Sequence, residues 1–359
     1  MEMDMEKAVK LFDQLAKLVF LDAPQSIEFG IDFNAWTTGA NFKGVKFIPP
    51  GIHFVYYSAT DKQGNTGIRS GFFHDFKPSE VLVKRWNPET EDLFKSSEMD
   101  VELCERIRLD IRNFDKFMGP YPIDPPELMN KWRGAIQHVS PQLVLRILAE
   151  DGMMEGFHPV PNGPTLEEFE GSMKFTPFDL KRSFPPGVSG VELTKHVLDK
   201  SYLLTTLLHE FFQDDASALL GELELAFVTF LLGQNFCGLE QWKKLIILLC
   251  NCQEAIDKNT QLFVGFLVVI ERQLRECPTD FFVDVLLQEN FLAASLQQFS
   301  RHIFQRALKS PNANVSSLAS HLKVLQKKLL KKFGWELDLD AAHSNSEEEE
   351  GEYAPVIVE

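Results

Sequence analysis

The sequence has few cysteines and no cysteine pair with the spacing that binds zinc. Five cysteines are spread over 359 residues, and the closest two, Cys250 and Cys252, are separated by a single asparagine. A zinc knuckle needs two cysteines separated by two to four residues, so a structural zinc site is not expected. We expect reduced, buried thiols, in agreement with a cytosolic or nuclear compartment.

Long hydrophobic runs and a basic leader are lacking as well. The longest apolar runs, such as residues 262–270, have nine residues, about half of what a membrane-spanning helix requires. The first ten residues, MEMDMEKAVK, are acidic, whereas a secretory signal peptide begins with basic residues. These features predict a soluble protein of the cytoplasm and the nucleus that has no membrane partner.

Motifs of common catalytic sites are missing too. The chain contains no GxSxG, no GxxxxGK[ST], no helix-opening GxGxxG and no kinase signature. His209 and Glu210 begin like the zinc-protease motif HExxH, but Gln213 occupies the position of the second histidine. We therefore predict that the protein is not an enzyme and needs no cofactor and no metal.

One catalytic alternative stays open. Spatial triads are invisible in a single sequence, so an uncharacterised hydrolase is possible, with its site in the N-terminal loops at Gly51–His53 and Gly64–Gly67. That hypothesis requires a pocket in which His53 or His74 meets a carboxylate or a hydroxyl group.

Basic residues are fewer than acidic ones, 36 against 52, and the acidic excess is concentrated at the C-terminus. The net charge is −16, and residues 336–359 contain nine acidic residues and no Lys or Arg. Removing these nine charges leaves −7 for the rest of the chain, which argues against binding by phosphate neutralisation. We predict no direct contact with nucleic acid.

The first third of the chain carries strand and turn signals. Apolar and aromatic runs at 18–21, 44–48, 52–58, 71–76 and 80–86 are bounded by Gly, Pro, Asn and Asp. This pattern predicts an antiparallel sheet or sandwich. Helical periodicity at 6–18 and 99–118 adds two helices. We assign residues 1–122 to a β-rich N-terminal domain.

The remainder of the folded chain is predicted to be helical. Residues 123–188 are rich in Pro and Gly and are interpreted as a connection with short helices near 126–149. Residues 189–335 repeat apolar stripes at helical spacing, separated by short polar links, which predicts an all-α C-terminal domain. The expected fold class is therefore α+β, followed by an acidic tail at 336–359.

The acidic tail combines two opposite signals. Four consecutive glutamates predict a disordered, solvated segment, and Ser344 and Ser346 just before them suit acid-directed kinases. The terminal peptide, however, is of a type that strands bury. We predict that it binds a partner by adding a strand to an exposed sheet edge, through Tyr353, Ala354, Pro355, Val356, Ile357 and Val358. The alternatives are a frayed end or a strand docked on the chain's own sheet.

A lysine-rich helix is predicted at residues 321–333. Its lysines stand beside an apolar stripe formed by Leu322, Leu325, Leu329 and Phe333. They form either an ordinary solvated face or a docking surface for an acidic partner, for the chain's own tail or for RNA. These lysines are Lys323, Lys327, Lys328, Lys331 and Lys332.

Several stretches taken together resemble one family, the A1-cistron splicing factor family. The matching stretches are IEFGIDFNAW (27–36), FKGVKFIPPGIHFVYYS (42–58), GFF (71–73), MGPYP (118–122), ELTKHVLDKSY (192–202), GELELAFVTFLLGQ (221–234), EQWKKLIILLC (240–250), DFFVDVLLQENFL (280–292), KKFGW (331–335) and APVIVE (354–359). They follow the family's order over nearly the whole chain, whereas residues 125–183 match poorly.

This resemblance implies a non-catalytic assembly factor of the U5 small nuclear ribonucleoprotein (snRNP). Members of the family bind the large U5 scaffold protein at its RNase-H-like and Jab/MPN-like domains in a cytoplasmic precursor particle, and they delay joining of the helicase. In the family the C-terminal peptide bridges these two domains by strand addition. In this sequence that role would belong to residues 354–358.

Overall fold

The computed structural model describes residues 5–59, 67–148, 152–156, 173–279, 291–309 and 313–337. The chain divides into two compact units. The first comprises residues 1–174 with 228–238, and the second comprises residues 175–227 with 239–359. The predicted domain boundaries at 122, 188 and 335 stay predictions.

The first unit is rich in strands. Its elements are α1 (Met5–Gln14), β1 (Ala16–Leu21), β2 (Glu28–Ile31), β3 (Asn34–Thr37), β4 (Gly44–Ile48), β5 (Gly51–Ser58), β6 (Ser70–Phe76), β7 (Val81–Asn87), β8 (Asp92–Leu93), α2 (Val101–Leu109), β9 (Met118–Pro120), α3 (Pro126–Ala135), α4 (Pro141–Ile147) and β10 (Met153–Glu155), with 3₁₀ turns at Ser96–Glu98 and Ile111–Phe117.

The strands form two five-stranded sheets. The first has the order β8-β7-β1-β4-β9, and the second has the order β10-β6-β5-β2-β3. The second sheet is antiparallel throughout, as predicted. The first sheet is mixed, because β1 runs parallel to β7 and β4 runs parallel to β9. The sequence-based expectation of antiparallel strands is therefore correct for one sheet and incomplete for the other.

Aromatic side chains fill the space between the two sheets. Phe20 of the first sheet contacts Phe29 and Tyr57 of the second, with ring centroids 5.7 and 5.9 Å apart. The other face of the first sheet is covered by α1 and α2, where Phe12 and Ile107 are buried together with Val19. The predicted sandwich is confirmed, with a layer of helices on its outer side.

Two predicted helices are shorter than their periodicity indicated. The helix expected over 6–18 ends at Gln14, because β1 begins at Ala16. The helix expected over 99–118 is α2 only up to Leu109, and a 3₁₀ turn and strand β9 follow it. The short helices expected near 126–149 are present as α3 and α4, and Ser140 caps α4 by accepting the Leu143 N–H at 3.2 Å.

The second part of the chain is helical, as predicted. Its helices are α5 (Gly190–Leu198), α6 (Ser201–Phe212), α7 (Ala216–Leu231), α8 (Phe236–Cys250), α9 (Ala255–Lys258), α10 (Thr260–Glu276), α11 (Phe291–Lys309) and α12 (Ala313–Phe333).

Trp242 of α8 is fully buried in the second unit. Its ring contacts Phe227 at 5.5 Å and Phe291 at 6.0 Å, and its indole N–H donates to Gln273 Oε1 at 2.8 Å. Gln273 in turn donates to the Leu223 carbonyl at 3.2 Å, so the buried polar groups of Trp242 and Gln273 are paired. Within the described ranges, every helix is too short or too polar to cross a membrane.

Candidate functional site

The predicted tail site lies outside the described residues. This applies to the terminal peptide Tyr353–Val358 and to Ser344 and Ser346, since the described chain ends at Leu337. The structure does show where the tail leaves the folded unit. Helix α12 ends at Phe333, and Gly334 follows with a φ of 70° and donates its N–H to the Leu330 carbonyl at 3.0 Å. Only glycine adopts this left-handed conformation without steric cost, which defines the helix end.

Helix α12 buries the three leucines of the predicted apolar stripe, whereas Phe333, its fourth member, is half-buried. Leu322, Leu325 and Leu329 are 2% exposed or less, and the helix packs against α10 and α11. The interpretation of these leucines as the inner face of the helix is confirmed.

The five lysines of α12 fall into two groups. Lys328 forms an ion pair with Glu271 of α10. Lys332 donates to the carbonyls of Leu274 and Arg275 at 3.0 and 2.6 Å, so it satisfies the last carbonyls of α10. These two lysines are committed to internal contacts.

The other three lysines are exposed and define an outer face. Lys327 and Lys331 have no hydrogen bond or ion pair with another part of the described chain. Lys323 lies 5.7 Å from the ring centroid of Phe304. We refer to Lys323, Lys327 and Lys331 as the lysine face. It is a described surface of positive charge that could hold an anionic partner.

The hydrolase alternative requires a carboxylate or a hydroxyl group next to His53. In the structure the carboxylate of Asp32 lies there. Asp32 Oδ2 lies 2.7 Å from His53 Nδ1 and accepts the Tyr121 hydroxyl at 2.7 Å, while Oδ1 accepts the Phe54 N–H at 3.0 Å. Burial, together with the nearby Asp32 carboxylate, raises the pKa of Tyr121, so its hydroxyl stays protonated and donates. We refer to these three contacts as the Asp32 network.

His53 has no free nitrogen for chemistry. Its Nε2 lies 2.9 Å from the Pro49 carbonyl oxygen, which can only accept a hydrogen bond. The ring stacks on Trp132 with centroids 6.4 Å apart and an interplanar angle of 18°. His53 is 3% exposed. A general base must reach its substrate through a free nitrogen, so this histidine supports the fold and the hydrolase hypothesis gains nothing from it.

His74 also meets a carboxylate, but at the surface. Its Nε2 lies 2.8 Å from Glu80 Oε1, and the other oxygen of Glu80 accepts the Lys77 N–H at 2.7 Å. The remaining ring contact of His74 is with Phe76 at 4.6 Å. Neither contact provides a hydroxyl or thiol group that His74 could activate. Of the second predicted loop, Gly64–Gly67, only Gly67 lies within the described residues.

His209 does not form part of a metal site in the described structure. Its side chain is 78% exposed and lies 3.3 Å from Asp214. Gln213 ends α6 with a φ of 53°. In the ranges that the structure describes, no three His, Cys, Asp or Glu side chains are placed to hold a metal ion.

The five cysteines are free and buried, as predicted. Burial raises the pKa of the Cys277 thiol to about 12 and raises the pKa of Cys250 and Cys252 as well. Because the thiolate is the reactive form, these thiols are inert at neutral pH.

A polar cavity that sequence reasoning missed lies where α5, α6 and α9 meet. It has a volume of about 240 Å³. Lys195 and Glu254 form an ion pair at 2.7 Å across it, and Asp199 accepts the N–H groups of Ser201 and Glu254 at 2.8 and 2.9 Å. Lys195 and Glu254 therefore neutralise each other, and Asp199 is held by backbone donors. A helical reading of residues 192–202 gives no signal for it, because its partners lie more than 50 residues away.

Comparison with known proteins gives matches over both units. A family model described as the AAR2 N-terminal domain matches residues 14–149. A second model, described as the AAR2 C-terminal repeat region, matches residues 175–338. The first match includes residues 125–149, which contain none of the stretches that resemble the family.

Relatives from animals and yeast match most of the chain. The proteins named "Protein AAR2 homolog" from Mus musculus and Homo sapiens are each 33% identical, over 100% of this chain and 97% of their own. The "A1 cistron-splicing factor AAR2" of Saccharomyces cerevisiae is 24% identical over 81% of this chain and 86% of its own.

The fold defines an α+β protein in which a two-sheet sandwich precedes a helical region in the sequence. The matches over both units name its family. The chain belongs to the AAR2 family.

Proposed function

We propose that the protein is a non-catalytic assembly factor of pre-mRNA splicing. The observation that carries this proposal is the family match along both units, together with the printed name of the yeast relative, A1 cistron-splicing factor. The two histidines of the hydrolase alternative agree with it, because both ring nitrogens of His53 are hydrogen-bonded and the polar contact of His74 is with the Glu80 carboxylate.

The finer proposal concerns the partner. It is the large scaffold protein of the U5 snRNP, bound through its RNase-H-like and Jab/MPN-like domains in a precursor particle, so that helicase joining is delayed. The resemblance of the terminal peptide to the family's strand-forming end supports this assignment. The same proposal includes that the protein acts in both the cytoplasm and the nucleus.

The terminal peptide alone is a weak ligand. Burying two or three of Val356, Ile357 and Val358 gives roughly 3–6 kcal/mol. Ordering five backbone residues costs about 5–10 kcal/mol, which strand hydrogen bonds offset only in part. The peptide therefore needs a second contact between the folded units and the same partner, which raises its local concentration to the order of millimolar.

Phosphorylation of Ser344 and Ser346 is proposed to regulate this tail. Each phosphate adds about −1.5 to −2 charges to a segment that already carries four consecutive glutamates. Both serines lie shortly before the terminal peptide in the sequence. Their phosphorylation therefore makes the segment next to the proposed partner-binding peptide more negative.

The test is an affinity capture from nuclear and cytoplasmic extracts, read by mass spectrometry. Full-length protein is compared with a form lacking residues 353–359 and with the variants Ile357→Pro and Ile357→Ala. Strand addition predicts enrichment of the U5 scaffold with the full-length protein and a larger loss for Pro than for Ala. The reason is that Pro removes the backbone donor, whereas Ala removes only side-chain area.

The outcomes separate the parts of the proposal. Equal capture by full-length and truncated protein removes the tail from the mechanism. Equal losses for Pro and Ala remove strand addition but keep a side-chain contact. Failure of the full-length protein to enrich any splicing component contradicts the function itself.

A further inference from the structure

The outer face of helix α12 carries positive charge that the helix itself does not balance. The 21 residues of α12 include five lysines and no Asp or Glu. Lys328 and Lys332 are neutralised or engaged by α10. The lysine face, Lys323, Lys327 and Lys331, has no anionic partner among the described residues.

The geometry of the lysine face suits an extended anionic chain. Its three lysines are spaced by four residues, so they project within an arc of about 80° and rise by about 6 Å from one to the next. Leu330 and Val324, each 49% exposed, border them on either side. In an extended chain, alternate side chains point the same way and are about 6.6 Å apart.

The C-terminal tail provides a chain of this kind at the right place. Eight acidic residues and no Lys or Arg follow Leu337, and four of the acids are consecutive, Glu347–Glu350. The ten residues from Leu337 to Glu347 span up to about 33 Å when extended. Lys323 is only about 15 Å along the helix from Phe333, so the glutamates can reach every lysine of the face.

We infer that Glu347–Glu350 of the same chain dock on the lysine face of α12. Charge complementarity and the short connection favour this occupant, because a segment tethered by ten residues is present at a local concentration of the order of millimolar. RNA is disfavoured, since three lysines neutralise few phosphates and the chain carries a net charge of −16. The contact needs no splicing partner, so it stands independently of the proposed function.

Zero-length crosslinking of the isolated full-length protein tests the contact. A carbodiimide joins a lysine amine to a carboxylate only when the two groups touch. We expect crosslinks from Glu347–Glu350 to Lys323, Lys327 and Lys331 at 50 mM salt, and at least a fivefold loss at 500 mM salt, where exposed charges are strongly screened. A mixture of ¹⁵N-labelled and unlabelled protein distinguishes crosslinks within one chain from those between copies.

A second readout does not depend on the reactive amines. The amide signals of Glu347–Glu350 in nuclear magnetic resonance should sharpen in Lys327→Gln/Lys331→Gln. They should stay unchanged in the control Lys7→Gln/Lys10→Gln, which removes the same charge from the exposed side of α1.

Three results would overturn the inference. The first is that the amide signals of Glu347–Glu350 change equally in the lysine-face variant and in the α1 control variant, or change in neither. The second is crosslinks found only between labelled and unlabelled copies, which would assign the face to a second molecule. The third is salt-sensitive binding of single-stranded RNA that Lys327→Gln/Lys331→Gln abolishes while the tail crosslinks are absent, which would assign the face to nucleic acid.

Discussion

Replacing Asp32 by alanine should strongly destabilise the first unit. Asp32 is 1% exposed and accepts from three buried donors, namely Phe54 N, Tyr121 Oη and His53 Nδ1. Alanine leaves all three without a partner, and each orphaned group costs about 1–3 kcal/mol.

The backbone at position 32 adds a further cost. Asp32 lies in the turn between β2 and β3 with a φ of 55°, a left-handed conformation that Asp tolerates better than alanine does. The strain adds about 1 kcal/mol, so Asp32→Ala should reduce the free energy of unfolding by at least about 4 kcal/mol. That is a large part of the 5–15 kcal/mol that stabilise a typical domain.

The matched control is Tyr121→Phe. It removes one donor and leaves Asp32 with two, so the expected loss is about 1 kcal/mol. Urea unfolding followed by tryptophan fluorescence measures both variants, because Trp132 is buried and stacks on His53. A loss of unfolding free energy below about 1 kcal/mol for Asp32→Ala, or equal losses for the two variants, would refute the claim that the Asp32 network stabilises the first unit.

Two further predictions concern a glycine and a cysteine. Gly44→Ala should destabilise the protein by well over 1 kcal/mol, because a Cβ would lie 1.9 Å from the Leu18 carbonyl oxygen and the φ is 133°. The control Gly39→Ala meets nothing within 4 Å, and equal melting temperatures for the two would contradict the reasoning. The pKa of Cys277 is raised from 9.0 to about 12, so unfolding releases a proton above pH 9. Stability should fall as the pH rises from 9 to 12, and urea titrations in which Cys277→Ala shows the same slope would exclude this thiol as a cause.

Local sequence patterns predicted elements well where packing agreed with them. The apolar runs at 44–48 and 52–58 became β4 and β5, and the stripe of Leu322, Leu325 and Leu329 became the buried side of α12. These patterns are reliable because their period alone decides which side chains turn inward.

Pairings between distant segments were not predictable in the same way. The parallel contact of β1 with β7 joins residues more than 60 positions apart, and no local signal specifies a parallel partner. Tyr121 reaches Asp32 across 89 residues. The same limit applies to α12, since only the position of Glu271 shows that Lys328 is engaged and Lys327 is not.

Docking of Glu347–Glu350 on the lysine face would hold the adjacent terminal peptide near α12, so we expect it to reduce the availability of Tyr353–Val358 to the proposed partner. A tail that is docked nine-tenths of the time weakens the apparent affinity for a partner about tenfold, because only the free fraction binds. Salt screens the docking of Glu347–Glu350 on the lysine face but affects a strand contact of Val356 and Ile357 much less. Moderate salt should therefore strengthen capture of the partner by the wild type. In the Lys327→Gln/Lys331→Gln variant the affinity for the partner should already be high at low salt. The same rise in salt should therefore not increase capture of the partner by this variant. If both proteins lose affinity in parallel as salt rises, the lysines act on the partner directly and the tail is not their ligand.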